Sequence, residues 1–287
     1  MQRLVATAAF AALILAACSP PAPAGTDSAA LDPAAEAASA PADTPPEGFE
    51  LSHVVESENF RGSSEIDPAI LAFDPPLAYR LWTKAKAELD DLGNSANEGR
   101  RMADEDAAAT GEASWFRGYT LDISHKATSL LDDVISVSDA VGTDTGGAHP
   151  NYFIAGGVYR KGEPLALGLD TFIADPAAFN EQVIQALVVV KLERGFEAAA
   201  RDAVEAELRD LLTPSSENLE LYKGKFVLAP STETGRAGGI TVLFSPYDVG
   251  SYAEGSYEVT LSAADLAPIL TEAWRARFGG EPVTADQ

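Results

Sequence analysis

The first 48 residues cannot contribute to a folded core, and this restricts the fold to the rest of the chain. Residues 4–15 are an apolar run behind one basic residue, Arg3. A run this short is typical of a secretory signal and is too short for a comfortable membrane span. Residues 19–48 are rich in Pro, Ala, Ser, Thr and acidic residues, and bury too little apolar surface to offset their ordering entropy. We expect a signal peptide at residues 1–17 and a disordered tether at residues 18–48.

The apolar run ends in the sequence LAACS, and its cysteine, Cys18, is the only cysteine in the chain. Small residues before a cysteine are typical of a bacterial lipobox, so Cys18 is predicted to carry a lipid that anchors the protein to a membrane. An ordinary signal with a coincidental cysteine is the alternative. Because residue 19 is Ser rather than Asp, we expect sorting to the outer membrane, facing the periplasm. One cysteine also excludes an internal disulfide.

The charge balance restricts the kinds of partner that the chain can bind. The chain has 44 acidic and 20 basic residues, which gives a formal net charge of -24. Nucleic acid is excluded as a partner because its phosphates require clustered Lys and Arg. A cationic partner would be attracted by the long-range field. The alternative is that the charge serves only to keep the protein soluble.

Hydrophobic periodicity from residue 49 onward predicts an α+β fold, in which residues 115–125 and 131–141 form an antiparallel hairpin. Residues 94–110 are either a second helix or a mobile solvated segment, and Gly93 is expected to end or interrupt the helix before them. Asp175 before Pro176, and Ser262 with Asp265 three residues later, are helix-start signals. Strands are predicted at residues 49–56, 67–73, 115–125, 131–141, 151–160, 164–169, 226–229, 239–244 and 257–261, and helices at residues 76–92, 176–194, 197–212 and after 262.

Catalytic motifs are absent from the sequence. It contains no G-x-S-x-G, S-x-x-K, H-E-x-x-H or phosphate-binding loop. The three histidines, His53, His125 and His149, lack the close spacing of a preassembled zinc site. We therefore predict no catalytic residue, no metal and no cofactor. A carboxylate pair of the glycosidase type stays open as an alternative, because acidic residues are abundant and their separation in space is not visible in a sequence.

Two turn-rich stretches carry the candidate binding residues. The first, TDTGGAHPNYF, contains paired glycines that permit close backbone approach, followed by a histidine and a tyrosine. The second, FSPYDVGSYAEG, offers tyrosines, which provide contact area at a low entropic cost. The histidine could instead fasten its own loop, and the tyrosines could instead be packed against the sheet. The candidate ligand-binding residues are Gly146, Gly147, His149, Tyr152, Tyr247 and Tyr252.

The same two stretches resemble a known pair of domains. The sequences TGGAHPNYF and LGLDTF, followed by the helix start at Asp175, are similar to the C-terminal domain of RsiV-type anti-sigma factors. They are also similar to the extra-catalytic domain of some peptidoglycan deacetylases. Near the end of the chain, Pro246, Tyr247, Tyr252 and Gly255 match the aromatic loop of that pattern. The resemblance implies an α+β fold with antiparallel sheets and flanking helices. It also implies a deacetylase-associated lobe at residues 49–142, an RsiV-like lobe at 143–278 and a tail at 279–287.

The resemblance implies a binding module, because the RsiV-type domain binds lysozyme as a receptor. The anti-sigma segment and the deacetylase domain with its Asp-His-His metal set have no counterpart in this sequence, so signalling and deacetylation are not implied. We expect a non-enzymatic envelope lipoprotein that binds a cationic lysozyme-like protein or peptidoglycan. A carboxylate-dependent cell-wall hydrolase and a purely structural envelope protein are the alternatives.

Overall fold

A computed structural model describes residues 45–46, 49–195, 200–212 and 219–283. The described residues belong to one compact unit, Ala37–Gln287. The predicted signal peptide, Cys18 and nearly all of the predicted tether lie outside the described residues. None of the helices in the described ranges is both long enough and apolar enough to cross a membrane.

The described elements are two sheets and six helices, and they confirm the predicted α+β class. One sheet has five strands in the order β1-β2-β3-β4-β5, and the other has three in the order β6-β7-β8. The strands are β1 Ser52–Glu56, β2 Phe60–Ile66, β3 Tyr119–Leu130, β4 Val134–Asp144, β5 Asn151–Arg160, β6 Phe226–Ala229, β7 Gly239–Phe244 and β8 Tyr257–Ser262. The helices are α1 Pro68–Phe73, α2 Pro75–Thr110, α3 Pro176–Glu193, α4 Arg201–Leu212, α5 Ala263–Leu266 and α6 Glu272–Arg275.

All neighbouring strands pair antiparallel except β2 and β3, which run parallel. The connection from β2 to β3 contains both α1 and α2, which is the long crossover that a parallel pair requires. These helices cover one face of the five-stranded sheet, where residues of β2, β3 and β4 pack beneath them. The other face of β4 and β5 joins the larger core, which contains α3, α4 and the three-stranded sheet.

The strand predicted at residues 67–73 is wrong, because this segment forms α1. The side chain of Asp67 caps the helix by accepting a hydrogen bond of 2.8 Å from the backbone N–H of Ala69. Pro68 occupies the first helical position, where its missing N–H leaves no helical bond unmade. The start signal of a six-residue helix was therefore more informative than the apparent alternation of apolar residues.

The prediction that Gly93 ends or interrupts the long helix is also wrong. Helix α2 continues through Gly93 to Thr110, so residues 94–110 are helical. The Cα of Gly93 faces the ring of Phe60, where an added Cβ would lie 3.3 Å from a ring carbon. Close packing against the sheet therefore compensates for the poor helix propensity of glycine. The helix ends at Gly111, which adopts the left-handed conformation with φ of 74°.

The remaining predictions place most strands and helices correctly, but β1 begins at Ser52 rather than at residue 49, and β2 has no counterpart among the predicted strands. Strands at residues 151–160, 226–229 and 239–244 have the predicted bounds, and Ser262 and Asp265 form the predicted capping box. Strands β3 and β4 begin and end later than predicted. Residues 164–169 form only one bridge, between Ala166 and Tyr159. Helices α5 and α6 have four residues each and are shorter than expected. The predicted lobe boundary at residues 142–143 falls inside β4, and the division into two lobes stays a prediction.

Gly62 tests how closely α2 packs against β2. A Cβ at Gly62 would lie 2.4 Å from the Leu89 side chain and 2.6 Å from the ring of Phe60. We expect Gly62→Ala to lower the free energy of unfolding by about 2 kcal/mol, because overpacking forces side chains off their preferred rotamers. Gly142→Ala in β4 is the control, since no atom lies within 4 Å of the position that its added methyl group would occupy. Equal midpoints of the two variants in urea unfolding would contradict this account of the packing.

Candidate functional site

The two predicted stretches form neighbouring loops. The first loop, residues 145–150, joins β4 to β5, and the second loop, residues 245–256, joins β7 to β8. Ser245 connects the second loop to β5 by two hydrogen bonds. Its hydroxyl accepts from the backbone N–H of Ile154 at 3.0 Å and donates to the Ile154 carbonyl at 3.1 Å. The two loops therefore come from different sheets and meet at one end of β5.

The centre of the site is a stack of three aromatic rings. His149 of the first loop lies on Tyr252 of the second loop, with ring centroids 3.8 Å apart and an interplanar angle of 19°. Tyr247 lies 5.6 Å from Tyr252 at an angle of 36°. The Tyr252 hydroxyl donates to the carbonyl of Pro150, and His149 Nδ1 lies 2.9 Å from the same oxygen. Because a carbonyl only accepts, Nδ1 carries the proton. We call His149, Tyr247 and Tyr252 the aromatic stack.

Tyr247 has an unusual backbone conformation for its residue type. Its φ is 74°, a left-handed value that a bulky non-glycine residue adopts at an energetic cost. Its side chain is 65% exposed. The turn around it is fixed by Asp248, which accepts from the Ser245 N–H at 2.8 Å and pairs with Lys225 Nζ at 2.9 Å. The surrounding contacts thus hold a strained residue that presents its ring to solvent.

The other predicted residues lie beside the stack and have different roles. Gly146 has a φ of 78° and donates its N–H to Asp144 at 2.8 Å, so it shapes the first loop. Gly147 is exposed in the same turn. Tyr152 follows the loop on β5 and is 43% exposed. Partial burial, and then the negative charge of Glu258, raise the pKa of Tyr152 above its ordinary value.

A buried ion pair fixes the second loop to α3. Lys191 is only 3% exposed, and its Nζ lies 2.5 Å from Oε2 of Glu254. The same carboxylate accepts from the Tyr257 hydroxyl at 2.8 Å and from the Ser251 N–H at 2.6 Å. Arg194 donates to the carbonyls of Glu254 and Ser256 and lies 4.1 Å from the centre of the Tyr257 ring. We call Lys191, Arg194, Glu254 and Tyr257 the loop clamp.

The clamp strongly favours the ionised form of Glu254. Burial by itself opposes ionisation, but the hydrogen bonds from Lys191, Ser251 and Tyr257 dominate and lower its pKa to about 2. Burial and then Glu254 raise the pKa of Tyr257 to about 12. The clamp also holds the backbone turn that carries Tyr252, since the turn Tyr252–Glu254 ends on the clamped residue. The position of the aromatic stack therefore depends on an ion pair made by α3.

Sequence reasoning did not identify the clamp. A local signal was available, because Ser251 and Glu254 have the spacing of a capping box and form one around the turn. The partner of Glu254 could not be found in this way, since Lys191 lies 63 residues away. Its position at the end of an apolar helix gives no indication of which loop it contacts.

The other two histidines are remote from this site in the fold. His125 of β3 is buried and lies 2.6 Å from Asp139 of β4 on the face covered by α2. His53 of β1 packs edge-on against Trp82, at 5.9 Å between ring centres. Within the described ranges, no group of three or more His, Cys, Asp or Glu side chains is arranged to hold a metal ion. The hydrogen bonds and the ion pair described above fix the positions of the two loops relative to β5 and α3.

Replacing Glu254 tests the clamp. We expect Glu254→Gln to lower the free energy of unfolding by about 3 kcal/mol, because the buried Lys191 then loses the carboxylate that lies 2.5 Å from its Nζ. The folded-state pKa is below the ordinary value of 4.5, so the carboxylate stabilises the fold above pH 4.5, and this is lost as the pH falls toward 2. The stability difference between wild type and variant, measured by urea unfolding, should therefore shrink over that range.

Glu272→Gln is the matched control, because Glu272 is exposed on α6. We expect it to change the stability by less than about 0.5 kcal/mol at neutral pH. A stability difference between wild type and Glu254→Gln that stays constant from pH 6 to pH 2 would contradict the clamp.

Comparisons with known proteins give structural similarity and no established function. No protein-family model and no curated protein matches the sequence. Among solved structures, the chain is similar to a member of the DUF3298 family from Bacteroides fragilis, with 17% identity, a TM-score of 0.48 and coverage of 78% of this chain and 92% of that chain. It is also similar to a DUF3298 family protein from Pseudomonas aeruginosa, with 13% identity, a TM-score of 0.36 and coverage of 81% and 94%. The structural neighbours are therefore bacterial proteins of a family defined by a domain of unknown function.

Proposed function

We propose that this protein is a lipid-anchored envelope protein that binds a cationic, lysozyme-like protein through the aromatic stack. The anchor is Cys18, on the outer membrane and facing the periplasm, and the protein acts by binding rather than by catalysis. The finer resemblance to the RsiV-type domain is part of this proposal, because receptor binding of lysozyme is what that resemblance implies.

The observation that carries the proposal is the fixed, exposed presentation of Tyr247. Its ring is 65% exposed, although its backbone is held in a costly left-handed conformation. Backbone strain of this kind is often retained at ligand-binding sites. The contacts of Asp248 and the loop clamp hold the loop before any partner arrives. Such preorganisation reduces the entropy that is lost on binding, and aromatic anchors commonly dominate protein interfaces.

The charge favours a protein partner over a glycan strand. With a net charge of -24, the chain attracts a cationic protein at long range. The peptide stems of peptidoglycan carry carboxylates and would be repelled by the same field.

Binding to a cationic lysozyme tests the proposal. The full chain, purified in detergent, is titrated with lysozyme by calorimetry at about 0.15 M and 0.5 M salt, since exposed charges are largely screened at the higher value. We expect binding at both concentrations. Tyr247→Asn should weaken the affinity at least about tenfold, because it removes an anchor ring. Asparagine is chosen because it tolerates the left-handed conformation.

Leu165→Ser is the matched control for loss of exposed apolar surface. Leu165 is 60% exposed and follows the far end of β5. We therefore expect the Leu165→Ser variant to bind lysozyme with the affinity of wild type. Lysozyme binding that disappears at the higher salt would reduce the interaction to bulk charge and overturn the proposal. A chain that sediments with peptidoglycan but does not bind lysozyme would favour the glycan, and release of soluble muropeptides would favour the hydrolase alternative.

A further inference from the structure

An exposed acidic residue, Glu258, lies beside the aromatic surface on the edge strand β8. Its position follows from the way in which the two sheets pack together. Ile154 of β5 contacts Val227 and Leu243 of the three-stranded sheet. Tyr152 is two residues before Ile154 and lies on the same face of β5. Glu258 is the cross-strand partner of Leu243 and lies on the same face as that residue. Tyr152 and Glu258 therefore flank the same inter-sheet contact.

Both side chains are available to a partner. Tyr152 is 43% exposed, and Glu258 is exposed on β8, which is the edge of its sheet. None of the ion pairs found among the described residues includes Glu258. The nearby cations have other carboxylates, since Lys225 pairs with Asp248 and Lys191 with Glu254. Partial burial, and then the negative charge of Glu258, raise the pKa of the Tyr152 hydroxyl.

We propose that Tyr152 and Glu258 form a subsite for an arginine side chain of the partner protein. This inference rests on the proposed function and specifies its chemistry. A guanidinium group is planar, so it can stack on a tyrosine ring and direct two N–H groups at a carboxylate. An ammonium group lacks the flat face and the paired donors. The subsite makes the recognition of a cationic partner depend on one residue rather than on net charge alone.

The subsite also explains how an acidic chain can discriminate among basic proteins. The field of 44 acidic residues attracts any cation. The Tyr152 ring and the Glu258 carboxylate bind only a partner that has an arginine at the correct place on its surface. That place is set by the distance to the groove or loop of the partner that contacts the aromatic stack. Long-range attraction then governs the association rate, and the subsite governs the lifetime of the complex.

Charge-matched controls make the test specific. The full chain in detergent is titrated with lysozyme, comparing wild type, Glu258→Gln, Tyr152→Leu and the control Glu272→Gln, which removes one equally exposed charge on α6. We expect Glu258→Gln to weaken the affinity about tenfold, mainly through faster dissociation, and Glu272→Gln to change it less than about twofold. Tyr152→Leu should weaken it several-fold. All variants should keep the thermal midpoint of wild type. If Tyr152→Leu lowers that midpoint, the affinity of Glu258→Gln alone tests the subsite.

Modifying the partner identifies the group that is bound. Lysozyme with its arginines blocked by a dicarbonyl reagent should bind wild type and Glu258→Gln equally, whereas lysozyme with acetylated lysines should retain the difference. If wild type binds lysozyme but Glu258→Gln behaves like Glu272→Gln, the subsite is wrong and the proposed function stands. If Tyr247→Asn and wild type both fail to bind, the proposed function and the subsite fall together. If the difference in affinity between wild type and Glu258→Gln disappears only with lysine-acetylated lysozyme, the subsite binds lysine and the arginine proposal is overturned.

Discussion

The ion pair between Lys191 and Glu254 is the interaction on which the candidate site depends. A charged lysine that is 3% exposed requires a close counter-charge, and Glu254 supplies one at 2.5 Å from Nζ of Lys191. Satisfying the lysine therefore determines where the second loop lies. The same carboxylate ends the turn that carries Tyr252. The need to neutralise the buried Lys191 in this way determines the position of the Tyr252 ring.

Contacts between the two sheets hold the site together with the ion pair between Lys191 and Glu254. Ser245 fastens the second loop to β5, and Tyr252 reaches the first loop through Pro150. The β4–β5 and β7–β8 hairpins thus present their loops side by side, although they belong to different sheets. The result is a small aromatic surface in which His149 and Tyr252 are both hydrogen-bonded to the Pro150 carbonyl.

The helical half of the fold supports β4 and β5 from the opposite side. Helix α2 lies so close to β2 that Gly62 has no room for a Cβ, and the helix continues through Gly93 because the ring of Phe60 packs against it. The parallel pairing of β2 and β3 follows from the two helices that connect them. This layer positions the hairpin that carries the first loop, and it contributes no residue to the aromatic stack.

The sequence by itself determined the elements that depend on local signals. Short runs next to turn-rich segments specified β5, β6 and β7, and the capping residues specified the starts of α3 and α5. The turn-rich stretches indicated His149 and Tyr252. It failed where local preference was overridden, at Gly93, or where a cap outweighed alternation, at residues 67–73. Only the tertiary structure decided that Tyr252 reaches the first loop, 102 positions away at Pro150, and that Lys191 holds Glu254, 63 positions away. The geometry of these contacts follows from packing two sheets and a helix, which no local pattern encodes.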